Sequence, residues 1–193
     1  GMGCFQNTGE FGVPRDEGER VLDFAFDAGI NYFDTAQMYG FGESEELLGR
    51  ALRRHGRDKA YISTKCGWLD RTIIRNLGDN AYKDEAGLRR AIKHSFWLLQ
   101  TDYVDVFMIH EPNMDAWWGM DPKTGDCVLT TVLEDLKKQG VIGAVGLGCW
   151  MGDRLVELVD TGRFDVVLVA GGMSLVHLTM HEKLVPAAKK HDV

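Results

Sequence analysis

The amino-acid sequence predicts an α/β fold, a (β/α)8 or TIM barrel of which about six β/α units are present, and three observations carry that prediction. Segments with strand character alternate with segments of helical periodicity along the chain, the signature of β/α units around a parallel sheet. The strands, such as Val104-Asp105-Val106-Phe107-Met108-Ile109 and Val166-Val167-Leu168-Val169, are apolar almost throughout, as expected of a sheet covered by helices on one side and by barrel interior on the other. The competing open doubly wound sheet needs a glycine-rich turn after its first strand, and here Gly1-x-Gly3 is followed by neither a third glycine nor a helix start.

A strand end at Gly1 to Cys4 comes first, then a helix near Asp16 to Ala28 with Val21, Phe24, Ala25 and Ala28 on its apolar face and Gly29 as its stop. Strand Ile30 to Asp34 leads to helix Ser44 to Arg54, with Leu47, Leu48, Ala51 and Leu52 inward. Strand Ala60 to Lys65 leads, across a long loop, to helix Asp84 to Gln100. Strand Tyr103 to His110 leads to a helix near Leu129 to Gln139, ended by Gly140. Strand Ala144 to Gly148 precedes helix Asp153 to Thr161, and strand Asp165 to Ala170 precedes a helix near His181 to His191. The glycines of Gly143-x-x-Gly146-x-Gly148 lie inside a strand, where small residues serve packing. A complete barrel of this kind takes about 250 residues, so residues 1–193 read as a single partial barrel domain whose last two β/α units are missing, with two sheet edges left open.

Composition narrows the function. The chain has 193 residues, 45% hydrophobic and 26% charged, with a formal charge of -7. That balance suits a soluble globular domain and disfavours a nucleic-acid or anionic-membrane surface. No run of roughly 18 apolar residues is present, and Gly1-Met2-Gly3-Cys4 lacks the layout of a signal peptide, so the cytoplasm is the expected location. Cys4, Cys66, Cys127 and Cys149 form no Cys-x-x-Cys pair, and the histidines lack metal-ligand spacing; free thiols and no metal are expected. Cys66, beside Lys65, reads as a small buried hydrophobe rather than an oxidation-sensitive thiol. The sequence gives no reading of oligomeric state.

Four residues carry the chemistry. Asp34, Tyr39, Lys65 and His110 each fall at or just past the end of a predicted strand, and so at one rim. Reducing a carbonyl by hydride leaves negative charge on oxygen, so a proton donor must stand within hydrogen-bond reach. Tyr39 can serve, but a free phenol has a pKa of about 10 and needs a cationic neighbour. Lys65 supplies that charge, Asp34 holds the ammonium in place, and His110 orients the substrate oxygen, donating even when neutral. Singly, these residues have duller roles as turn cap, loop packing, solvated strand end and structural histidine. Together at one rim they form a proton-donating site.

The run Asp34-Thr35-Ala36-x-x-Tyr39-Gly40 with Gly42-x-Ser44-Glu45, then Ser63-Thr64-Lys65, then Met108-Ile109-His110-Glu111-Pro112, resembles the aldo-keto reductases. Lys65 follows Tyr39 by 26 residues and His110 follows Lys65 by 45. The resemblance implies a catalytic tetrad of Asp34, Tyr39, Lys65 and His110. It also implies a nicotinamide cofactor, NADP or NAD with the preference unread, bound without a Rossmann motif against Gly3, Cys4, Phe5, Asp34, Gly148 and Cys149. The rim aromatics Phe5, Trp68, Trp117 and Trp118 would wall the substrate pocket, with Phe41 and Trp150 nearby. The implied substrate is a small carbonyl or a sugar.

Two departures stand out. Many members of that family end the fifth strand in Ser-Asn, where this chain has Gly148-Cys149, and the usual glutamine of the sixth strand is Leu168. With Phe164-Asp165-Val166-Val167-Leu168-Val169-Ala170-Gly171, they resemble the subgroup that oxidises sugar hemiacetals, the aldose and galactose 1-dehydrogenases, in which Tyr39 would act as base. The alternative reading is a cofactor-binding regulatory subunit of the same fold with negligible turnover. A Schiff-base role for Lys65 is disfavoured, because a carboxylate and a phenol beside it favour the charged amine.

Overall fold

The structure is a computed structural model that describes residues 1–67, 78–112, 118–150, 154–171 and 178–193. Six strands, β1 (Met2–Gly3), β2 (Tyr32–Asp34), β3 (Tyr61–Cys66), β4 (Val104–His110), β5 (Ile142–Cys149) and β6 (Val166–Val169), make one parallel sheet in the order β1-β2-β3-β4-β5-β6. Every strand pairs with its sequence neighbour, so the sheet never reverses direction as a doubly wound sheet does. It curls into part of a (β/α)8 barrel.

Six α-helices are described: α1 (Arg15–Asp27), α2 (Glu43–His55), α3 (Glu85–Leu99), α4 (Val128–Lys138), α5 (Arg154–Asp160) and α6 (Thr179–His191). Alternation along the strands explains the layering. Ile62, Phe107 and Ile109 are fully buried and belong to one core with Leu47, Leu48, Leu88, Ile92, Leu129 and Val132 from the helices. Each such side chain contributes roughly 1.5–3 kcal/mol on burial. Residues of the other parity, Asp34, Lys65, Met108 and His110, point into the barrel. Gly146 and Gly148 leave room for them: a Cβ on Gly146 would meet Met108 Cγ at 2.9 Å, and one on Gly148 would meet Lys65 Cδ at 3.2 Å.

The inward face of α2 is as expected, but that of α1 is not. Gly18, Leu22 and Ala25 are the buried residues, whereas Val21 and Phe24 are exposed, Phe24 by 74%. The helix carries apolar residues on two adjoining faces, and Phe26 decides between them by stacking on Phe33 of β2 with ring centroids 4.5 Å apart. Strand β2 also starts later than Ile30. The Ile30 amide donates to the Ala25 carbonyl at 3.0 Å, closing the end of α1 after Gly29 at φ 81°. The pocket residues Trp68 and Trp117 lie outside the described residues.

Candidate active site

The register of the sheet sets Gly3 beside Asp34, Asp34 beside Ser63, Lys65 beside Met108, and His110 beside Gly148. Parallel pairing therefore delivers Asp34, Lys65 and His110 to the carboxyl-terminal rim without further loop folding, and Tyr39 follows on the loop after β2. Lys65 is 1% exposed, and its ammonium has three acceptors: Asp34 Oδ2 at 2.6 Å, the Thr35 carbonyl at 2.8 Å and the Tyr39 hydroxyl oxygen at 3.1 Å. A lysine has three N–H donors, so the set is complete. Because the phenol oxygen accepts from Lys65, its own proton is left free to donate elsewhere. Ser63 Oγ donates to the other Asp34 oxygen at 2.6 Å and fixes the carboxylate.

Tyr39 sits in a tight turn, Tyr39–Gly42, held from two sides. The Gly40 amide donates to Glu10, and Glu43 accepts from the Gly9 amide at 2.8 Å, tying this turn to the one at Gly9–Phe11. Gly40 has φ 60°, and a Cβ there would meet Thr8 Cβ at 2.9 Å, so the Tyr-Gly pair is demanded by the turn. The Phe5 ring packs 4.9 Å from that of Tyr39, and the His110 ring stands edge-on to it at 5.8 Å.

Burial raises the Tyr39 pKa above its ordinary value, and the pull of Lys65 in the other direction does not fully offset it. The phenol rests protonated. Burial, with Lys65 nearby, pushes His110 down to about 3, so its imidazole is neutral. Its Nδ1 is buried and has no hydrogen-bond partner among the described residues.

These groups open onto a cavity of about 280 Å³. Gly3, Phe5, Asp34, Tyr39, Lys65, His110, Gly148 and Cys149, all anticipated from the sequence, line it. Cys4 is buried behind it, with its amide donating to the Asp34 carbonyl at 2.8 Å. Trp118 is not part of the lining. It is 1% exposed, packs edge-on to Tyr82, and its indole N–H donates to the His110 and Glu111 carbonyls at 3.1 and 3.2 Å, so it braces the rim from behind. Trp150, named among the rim aromatics, and Leu168, named as a departure, also line it, together with Met38, Glu111 and Ala170, which were not assigned beforehand. Ser63 was missed too, although two-residue alternation from Lys65 would have found it. Cys66 is fully buried and burial raises its thiol pKa, as a packing role requires.

Fold and site together define a parallel β/α-barrel protein with a buried lysine–carboxylate–phenol cluster at the carboxyl-terminal rim. The family model of the Aldo/keto reductase family matches residues 1–193, and the chain belongs to that family. It is 30% identical over 192 residues to a D-threo-aldose 1-dehydrogenase of Pseudomonas sp, covering 91% of this chain and 57% of the relative. It is also 30% identical over 171 residues to the NADH-specific methylglyoxal reductase of Escherichia coli (strain K12), covering 86% of this chain and 50% of that one. An aldo/keto reductase from Klebsiella pneumoniae, solved in complex with NADP and acetate, superposes with a TM-score of 0.74 at 24% identity, covering all of this chain and 60% of that structure. The chain thus spans between half and three fifths of the length of these relatives.

Proposed function

We propose that the protein is an NAD(P)-dependent oxidoreductase that transfers hydride between nicotinamide and a small carbonyl or alcohol, or a sugar hemiacetal, with Tyr39 as general acid and base. The observation that carries this reading is the Lys65 ammonium bridging Asp34 Oδ2 and the Tyr39 hydroxyl in a buried site. The relatives support the substrate range, one named as an aldose 1-dehydrogenase and one as a methylglyoxal reductase. Their names and the Klebsiella complex also mention NADH and NADP, so both cofactors stay open for this chain.

The residues present fit a nicotinamide. Gly3, Gly148, Leu168 and Ala170 give the cavity apolar lining, and a Cβ on Gly3 would meet nothing within 4 Å, so a ring has room there. Gly3, Phe5, Gly148 and Cys149 would hold it. When bound, the cofactor supplies or accepts the hydride. Neither Gly148 nor Leu168 offers a side-chain donor to its amide.

In the reducing direction Tyr39 donates its free proton to the carbonyl oxygen, and Lys65 stabilises the phenolate left behind. Its raised pKa keeps that proton in place until charge develops on the substrate. In the oxidising direction the same pair takes the proton back. Neutral His110 donates one hydrogen bond and adds no competing charge, and Phe5 helps exclude water.

The test is a cofactor-coupled absorbance assay on the full-length protein, screening aldehydes and sugars with NADP and NAD, with Tyr39→Phe as control. The reading expects turnover that falls about 10²–10⁴-fold in the variant while nicotinamide binding persists. Cofactor binding with no turnover of any carbonyl or sugar would instead favour a regulatory, cofactor-sensing subunit.

A further inference from the structure

The residue after His110 is not accounted for by the tetrad. Glu111 lines the same cavity, between His110 and Trp150. Its backbone is left-handed, at φ 52°, unusual for a side chain of this size and more so before Pro112. Three hydrogen bonds hold it there: the Glu111 amide donates to the Gly148 carbonyl at 2.7 Å, the Glu111 carbonyl accepts from Trp118, and carboxylate oxygen Oε1 accepts from the Trp150 amide at 2.9 Å.

The second carboxylate oxygen, Oε2, has no partner among the described residues, and no cation among them pairs with Glu111. Lys65 is unavailable, since its three protons are already placed. Partial burial raises the Glu111 pKa, as expected of a carboxylate without a counter-charge. Besides Asp34, whose two oxygens are taken by Ser63 and Lys65, the pocket thus contains a second carboxylate, held by the Trp150 amide, with an open acceptor position beside the group that orients the carbonyl.

We propose that Glu111 is a specificity-determining residue: Oε2 accepts a hydrogen bond from a hydroxyl borne by the substrate near its reacting carbon, and the same carboxylate turns away carbonyl compounds that carry a carboxylate. This rests on the oxidoreductase reading and narrows it to neutral, hydroxylated substrates such as short polyols, hydroxyaldehydes and sugars. A hydroxyl gains by meeting a half-buried acceptor already oriented by the Trp150 amide, whereas an anion placed there meets like charge with no cation among the described residues, apart from Lys65 already paired with Asp34, to offset it.

The experiment compares kcat/KM of the full-length protein for glyceraldehyde, propanal and succinic semialdehyde, in wild type, Glu111→Gln and Glu111→Leu. Wild type should prefer glyceraldehyde over propanal by about tenfold or more, and should disfavour succinic semialdehyde. Glu111→Gln keeps an acceptor and the bond from Trp150 but removes the charge. It should retain the preference for glyceraldehyde and raise the relative rate with succinic semialdehyde by about tenfold. Glu111→Leu removes both, and its glyceraldehyde-to-propanal ratio should fall toward unity. Selectivity ratios in both variants that match wild type would overturn the proposal.

Absence of turnover with every carbonyl would sink the oxidoreductase reading alone. Calorimetry on the cofactor-loaded protein then decides the role of Glu111. Erythritol binding in wild type, with propanoate admitted only in Glu111→Gln, supports it; no difference between the two proteins overturns it.

Discussion

Replacing Lys65 by methionine removes the charge while nearly filling the space, and the structure sets the size of the effect. Lys65 is 1% exposed and Asp34 has 14% of its side chain exposed, with 2.6 Å between ammonium and carboxylate. Breaking a buried ion pair by deleting one partner costs about 3–5 kcal/mol, because the other charge stays behind uncompensated. Asp34 keeps its bond from Ser63 and some access to the cavity, so the lower end, about 3 kcal/mol, is expected in equilibrium urea unfolding of the full-length protein. Domains of this size are stable by only about 5–15 kcal/mol, which makes the loss easy to measure. Asp34→Asn combined with Lys65→Met should recover most of it, since both charges are then gone, yet activity should stay at least about a hundredfold down in both variants. A loss below about 1 kcal/mol in the single variant, or a double variant no more stable than the single, would refute the claim that the pair is buried and mutually dependent.

Further predictions concern two buried titratable groups and the turn. His110 is held at about 3 in the folded chain, below its ordinary 6.5. The unfolded chain therefore binds the extra proton first, so this residue's contribution is lost as pH falls from about 6.5 toward 3, at up to about 1.4 kcal/mol per pH unit. His110→Gln should flatten that part of the stability profile. Glu45 runs the other way. Burial pushes it up to about 7 despite Thr64, Ser95 and Lys65, so its contribution is full below about 4.5 and declines as pH rises through 7. The stability of Glu45→Gln relative to wild type should accordingly grow across that window, and a gain independent of pH would contradict this. Gly40→Ala, forced to φ 60° against Thr8 and Glu43, should lose about 1–2 kcal/mol of stability. It should also lose more activity than the unfolded fraction explains, because it displaces Tyr39; intact activity would show that the turn does not fix the phenol.

Much of this site was legible in the sequence because a polar residue ending an apolar strand has a fixed address in a parallel barrel. Asp34, Lys65 and His110 each close such a run, and Tyr39 follows within one turn. The departures at Gly148 and Leu168 were legible only through the resemblance to the family, and both residues line the cavity. Other features depend on packing that one sequence does not encode locally. Whether a rim tryptophan walls the pocket or braces it from behind depends on which element covers it, and Trp118 is covered by Tyr82. The apolar face of α1 was ambiguous until Phe33 selected Phe26. Glu111 was hidden because nothing in His-Glu-Pro announces a left-handed backbone. The balance on Tyr39 was also unreadable: Lys65 does act to lower its pKa, as the chemistry requires, but the depth of burial that outweighs it is a property of the fold.

The central claim is that the Lys65 charge makes the buried Tyr39 hydroxyl more acidic than it would otherwise be. Titrating the Tyr39 ring carbon bearing the hydroxyl by NMR in isotopically labelled full-length protein, with Tyr39→Phe to assign the signal, measures this without relying on turnover. The account predicts that Tyr39 ionises at a higher pH in Lys65→Met than in wild type, since burial remains and the offsetting charge is gone. An unchanged or lower ionisation pH in the variant would contradict it.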